Sequence, residues 1–210
     1  MKLFVIGFPK SGTTTLTVAL RQSGLKTAHW RVENHVFVGS MIYRSLLDGA
    51  DPLAGLAHYD AITQADVCIP RLHLSRWPNL DFSVLRAIRK AHPTCLFLLN
   101  YRDPEAICDS MVRWPGLQAR LVKSDIPGLP SGIGDSPQHL IRWIENHFDA
   151  CRNYFADDPH FLEIDIASEA APVALGKALG IPIKGWGDHK PSTFRAGAVA
   201  SPAEAKLISK

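Results

Sequence analysis

Cysteine is scarce in this sequence and never paired. Cys68, Cys95, Cys108 and Cys151 stand far apart with no C-x-x-C spacing. That leaves no zinc site and reads as small apolar core residues of a reducing compartment, so a cytoplasmic location is expected. A strong excess of one charge is missing too. The net charge of +3 does not suggest a nucleic-acid partner, although local basic residues can still hold an anionic ligand. No segment reaches the length of a membrane span, and the N-terminus enters an apolar strand rather than a cleavable signal, so no membrane partner is expected. Internal repeats and low-complexity runs are absent. What remains, at 210 residues with 46% hydrophobic and 20% charged, is an ordinary globular chain expected to form a single domain over 1–210.

The pattern along the chain alternates strand and helix. Residues 3–7 read as a first strand and 12–23 as a helix stopped by Gly24. A short strand over 26–30 completes a βαβ start, which implies a parallel sheet. Helices are expected over 36–47 and 83–91, with short strand candidates at 59–62 and 67–69, one of them central. The run 95–101, CLFLLNY, is apolar and unbroken, as a strand buried on both faces requires. Asp103 and Pro104 then offer a cap and a first-turn proline for a helix ending at 113. Residues 114–137 carry four prolines and four glycines. They read as an irregular flap, either functional or a tolerated insertion. A strongly patterned helix over 138–155, a strand over 161–164, a helix over 171–179 and an irregular tail from 185 complete the reading.

The junction after the first strand carries the most chemistry. Gly7-Phe8-Pro9-Lys10-Ser11-Gly12-Thr13-Thr14 nearly matches the nucleotide loop G-x-x-x-x-G-K-[ST], but Thr13 stands where the lysine belongs and a lysine appears three residues earlier. A glycine loop feeding a helix N-terminus points backbone N–H groups outward, and the helix dipole favours an anion there. Phosphate binding is therefore expected without the usual lysine contact to a triphosphate. A second anion site is expected where Arg102 ends the buried strand, because ligands of parallel α/β sheets bind at that edge and a guanidinium fits phosphate in a fixed fork. Ser110 can join Arg102 if the following helix packs over the strand end. Alternatively, Arg102 pairs with Asp103 or Glu105 at the surface.

These residues together resemble a known family. Pro9-Lys10-Ser11-Gly12-Thr13-Thr14 looks like the 5′-phosphosulfate loop of the P-loop sulfotransferases, and Arg102 with Ser110 in an R-D-P context looks like their 3′-phosphate motif. The closest form is the small sulfotransferase-like branch, where a His-plus-hydrophobe pair such as His29-Trp30 follows the first helix. The resemblance implies a three-layer P-loop NTPase-like α/β fold with a central parallel sheet flanked by helices. It also implies sulfuryl transfer from 3′-phosphoadenosine 5′-phosphosulfate (PAPS), with no metal, to a hydroxyl or amine of a small-molecule acceptor. Pro9, Lys10, Ser11, Gly12, Thr13, Thr14, Thr15, Arg102 and Ser110 would bind the donor. Asp188-His189-Lys190-Pro191 and Phe194-Arg195-Ala196-Gly197 resemble segments that close over it, which adds Arg195 and Gly197, although the family's Arg-Lys-Gly triplet is not reproduced. The two phosphate groups of PAPS, one at each end of a ribose, suit two anion sites on adjacent strands.

Lys10 and the loop N–H groups would stabilise charge on the departing bridging oxygen. The general base stays open between three residues. His73, in Pro70-Arg71-Leu72-His73-Leu74, looks like the catalytic histidine segment of the cytosolic sulfotransferases, although Arg71-Leu72 replaces Lys-Thr. Asp66 stands near a strand end, as does His29; Asp60 is an alternative acidic position, and His35 reads as an exposed helix start. The acceptor pocket is expected along 114–137 and 76–78. Phe8, Trp30, Trp77 and Trp114 are candidate walls or core residues, and Arg113, Arg120 and Lys123 either attract an anionic acceptor or are solvated. Two other functions fit parts of the pattern: an ATP/GTP-dependent P-loop kinase and a non-catalytic nucleotide-binding domain.

Overall fold

The computed structural model describes residues 1–187. Five parallel strands form the central sheet: β1 (Leu3–Val5), β2 (Thr27–His29), β3 (Ala61–Gln64), β6 (Leu96–Tyr101) and β7 (Phe161–Asp165), in spatial order β2-β3-β1-β6-β7. The period-2 alternation of β-strands then sorts side chains to two faces. Leu3, Val5, Leu96 and Leu98 pack with Leu16 and Leu20 of α1 (Thr13–Gln22) and with Ala171 and Leu175 of α7 (Ala171–Leu179). Phe4, Ile6, Phe97 and Leu99 face the other layer. That layer is built from α2 (Val38–Leu47), α3 (Phe82–Ala91), α4 (Pro104–Arg113) and α6 (Pro137–Tyr154). The sheet is thus covered by helices on both faces, as all-parallel sheets require.

Most boundaries agree with the sequence reading to within one or two residues, and the differences are informative. Of the two short candidates, the central strand is β3, which starts at Ala61 and pairs β1 and β2. Asp60 therefore precedes β3 at the N-terminal edge of the sheet, where its carboxylate accepts the Lys26 N–H and pairs with Lys2. That is the edge opposite the loop, so Asp60 is no strand-end acid for the site. The other candidate, β4 (Val67–Ile69), makes an antiparallel hairpin with β5 (Leu74–Arg76), which the sequence reading missed.

Regular structure also appears within 114–137. Helix α5 (Leu117–Val122) buries Leu117 and Leu121 at i, i+4, and Ile126 and Leu129 join the same core. The breakers bound this short helix rather than dissolve it. Gly116 adopts φ 69° at its N-cap, and the Trp143 indole donates to the Pro127 carbonyl at 2.8 Å.

Candidate functional site at the β1–α1 loop

The loop leaves β1 through a tight turn. The Ser11 N–H donates to the Phe8 carbonyl at 3.3 Å, with Pro9 second and Lys10 third at φ 73°. Proline followed by a positive φ is the signature of a type II turn, whose third position favours glycine. A lysine there works against the local backbone preference. The turn throws the Lys10 side chain up beside Trp114, whose ring centroid lies 3.6 Å from the Nζ atom. Burial, and then the charge of Arg102, hold the Lys10 amine below its ordinary pKa.

Three carbonyls of the loop are tied inward. The Asn79 amide donates to Gly7 at 2.9 Å, the Asn100 amide to Ser11 at 2.8 Å, and the Arg102 guanidinium to Lys10 at 2.9 Å. Asn100 is fully buried and also donates to the Ser11 hydroxyl, which in turn donates to Phe8. Ser11 thus shapes the loop with its hydroxyl rather than presenting it. Gly7 is needed because an added Cβ would run into the Asn100 side chain. At Gly12, with φ 85°, it would come within 2.5 Å of Ile166.

The first helical bond of α1 runs from the Leu16 N–H to the Gly12 carbonyl at 3.1 Å. The amides of Gly12, Thr13, Thr14 and Thr15 are therefore the donors that a helix start leaves without intrahelical partners. Among the described residues no side chain caps this end, and no acidic residue stands in the first turn. The helix dipole there is unopposed, and Thr14 is exposed with Thr15 half-buried beside it.

Arg102 follows β6 directly and shares this site through the Lys10 carbonyl; it makes no ion pair with Asp103 or Glu105 among the described residues. Asp103 instead caps α4 by accepting the Ala106 N–H. Ser110 stands half-buried on α4, one turn before Trp114. Because Trp114 lies over Lys10, the C-terminal end of α4 reaches the loop.

The candidate bases separate in space. Asp66 is 6% exposed and lies just past β3, and burial raises its carboxyl to about 6 against a partly opposing hydrogen bond from Gln64. Gln64 donates to Asp66 at 3.1 Å and meets the Thr13 hydroxyl at 3.3 Å, so this acid is linked to the loop. His29 lies behind α1, its Nδ1 within 3.1 Å of the Thr17 and Thr63 hydroxyls. Burial and then Arg21 lower it to about 4. His73 is exposed at the β4–β5 turn with φ 53°. That hairpin meets the 114–137 segment, as the Ser75 hydroxyl donates to the Asp125 carbonyl. His35 is exposed, as expected.

The aromatic candidates divide as well. Phe8 and Trp77 are core residues, both meeting Trp143 edge-to-face. Trp114 carries the Lys10 amine over its ring. Arg120 donates to the Cys68 carbonyl, while Lys123 lines a groove of about 310 Å³ with Gln118, Val122 and Asp135. Arg195 and Gly197, with the 188–191 segment, lie outside the described residues. Asn79, Asn100 and Gln64 went unnoticed in the sequence; the one available signal was a polar residue, Asn100, inside an otherwise apolar strand. Compared with known proteins, the chain matches no family model and no curated protein sequence.

Proposed function

We propose that the protein is a sulfotransferase of the P-loop class, moving a sulfuryl group from PAPS to a hydroxyl or amine of a small acceptor. The observation that best supports this is Lys10. It is held at positive φ in a turn that favours glycine, three residues before the start of α1, with its amine over the Trp114 ring and Arg102 bonded to its own carbonyl. Local strain of this kind persists where the side chain is needed.

In this reading the 5′-phosphate takes the N–H groups of Gly12 to Thr15, the Thr13 and Thr14 hydroxyls and the Lys10 amine. The 3′-phosphate takes the remaining Arg102 donors and the Ser110 hydroxyl. The acceptor oxygen or nitrogen bonds to sulfur as the bond from sulfur to the bridging oxygen breaks, and the electron pair stays on that oxygen. Lys10 and the loop amides offset the charge that builds there, an effect of several kcal/mol, on the order of 3. The acceptor's proton passes to Asp66. Asp66 suits this role better than His29 because a base near 6 holds a proton more readily than one near 4. It suits better than exposed His73 because it is linked to the loop through Gln64.

A kinase would need a lysine after the second glycine, where Thr13 stands. The test is thermal unfolding with adenosine 3′,5′-bisphosphate against ATP·Mg. The bisphosphate is expected to raise Tm more, and Lys10→Ala should stay folded yet lose the shift and the transfer of label from PAPS. Equal or greater stabilisation by ATP·Mg would favour the kinase.

A further inference from the structure

Gln64 is the last residue of β3 and, among the described residues, the one side chain that bonds both to the loop helix and to the buried acid. Its orientation is dictated by chemistry. An ionised carboxylate has no proton to give, so the amide NH2 must face Asp66 Oδ2, and the amide oxygen then faces the Thr13 hydroxyl. Thr13 is buried and donates to that oxygen at 3.3 Å, which holds the amide in this sense.

We infer that Gln64 is a positioning residue that couples Thr13 of the anion loop to Asp66, keeping the buried carboxyl able to ionise and aimed by the state of the loop. This rests on reading the loop as the donor site. An anion that draws the Thr13 hydroxyl competes with the Gln64 oxygen for its proton, so occupancy of the loop is felt at the acid through a single amide.

The other groups around the acid do not supply this link. Asp66 accepts from Gln64 and from its own backbone N–H. Cys68 on β4 is bonded to Ser124, and Arg76 on β5 donates to the Ser75 carbonyl. His29, the register partner of Gln64 on β2, has its Nδ1 among the Thr17 and Thr63 hydroxyls. The α2 helix approaches through Gly39, which carries no charge.

Carboxyl-carbon NMR of aspartate-labelled protein tests the inference. In Gln64→Leu the Asp66 midpoint should rise by about one pH unit or more, the loss of one hydrogen bond to a charged group. Thr13→Val, which leaves the amide in place but unlocked, should shift it the same way by less. It also serves if Gln64→Leu fails to fold. Calorimetric affinity of Gln64→Leu for adenosine 3′,5′-bisphosphate at pH 8 should stay within about threefold of wild type, because the anion's donors lie in the loop. An Asp66 midpoint unmoved in both variants overturns the coupling. Failure of the wild-type protein to bind the bisphosphate would instead overturn the donor-site reading, and the titration would still decide whether Gln64 governs Asp66.

Discussion

Lys10 and Asp66 are both placed against their own preferences. The turn at Pro9-Lys10 would be more comfortable with glycine in the third position, since a side chain at φ 73° crowds the backbone. Lys10→Gly is therefore expected to unfold about 1 kcal/mol later than the wild type in urea, while losing its nucleotide-induced Tm shift. A destabilised Lys10→Gly would mean that the lysine is retained for folding. Asp66 presents the parallel case in electrostatics. Its folded pKa, about 6, lies above the ordinary 3.8. Between these values the unfolded chain has released the proton and the folded chain has not, so stability falls as pH rises through this window. Above about 6 the loss is complete and on the order of 3 kcal/mol. Asp66→Asn should thus be more stable than wild type at pH 8 and nearly equal at pH 4, by urea midpoints, and it should be inactive. An equal gain at both pH values would place the destabilisation elsewhere.

At the scale of elements, the loop is shaped from below. Buried Asn79 and Asn100 and the half-buried Arg102 hold three carbonyls of the loop directly before the start of α1. The two carboxamides leave their own oxygens buried without partners among the described residues, a local cost. Asn100→Ala removes two bonds to Ser11 and should destabilise the fold by about 1–3 kcal/mol. It should also weaken adenosine 3′,5′-bisphosphate binding, measured by calorimetry on the folded variant. Unchanged affinity would show that the loop keeps its shape without this brace. The 114–137 segment belongs to the same scale. Its first residue, Trp114, lies over Lys10, and its helix α5 packs into the core that also holds Phe8.

For the molecule as a whole, site and anchorage sit on opposite edges of one sheet. The loop, Arg102 and Asp66 gather at the C-terminal edge, where ligands of parallel sheets bind. At the other edge Arg89 pairs with Asp158 at 2.8 Å, donates to the carbonyls of Pro93, Cys95 and His160, and lies over the Phe97 ring. This one guanidinium joins the starts of β6 and β7. Arg89→Met should cost about 2–3 kcal/mol, discounted from a fully buried pair because both partners keep some solvent contact. Once folded, the variant should bind the bisphosphate as the wild type does. A loss of affinity without a loss of stability would contradict this division of labour. No helix among the described residues is long and apolar enough to cross a membrane.

Local rules made much of this legible from the residues alone. Alternating apolar periods marked the strands and helices. Asp103-Pro104 marked a helix start that proved to be capped as expected, and the unbroken apolar run marked β6. The glycine loop and Arg102 were visible because backbone geometry and guanidinium chemistry need those residue types in that order. Long-range packing decided the rest. Whether Asp60 or Asp66 stood near the loop depended on where β3 began, a two-residue matter that sends one acid to each edge of the sheet. Phe8 and Trp77 became core because α6 brought Trp143 against them. Asn79 and Asn100 acquired their roles through contacts to Gly7 and Ser11, 72 and 89 positions away, and Gln64 through Thr13, 51 positions away. No local pattern encodes such pairings, since they exist only when the strands are side by side.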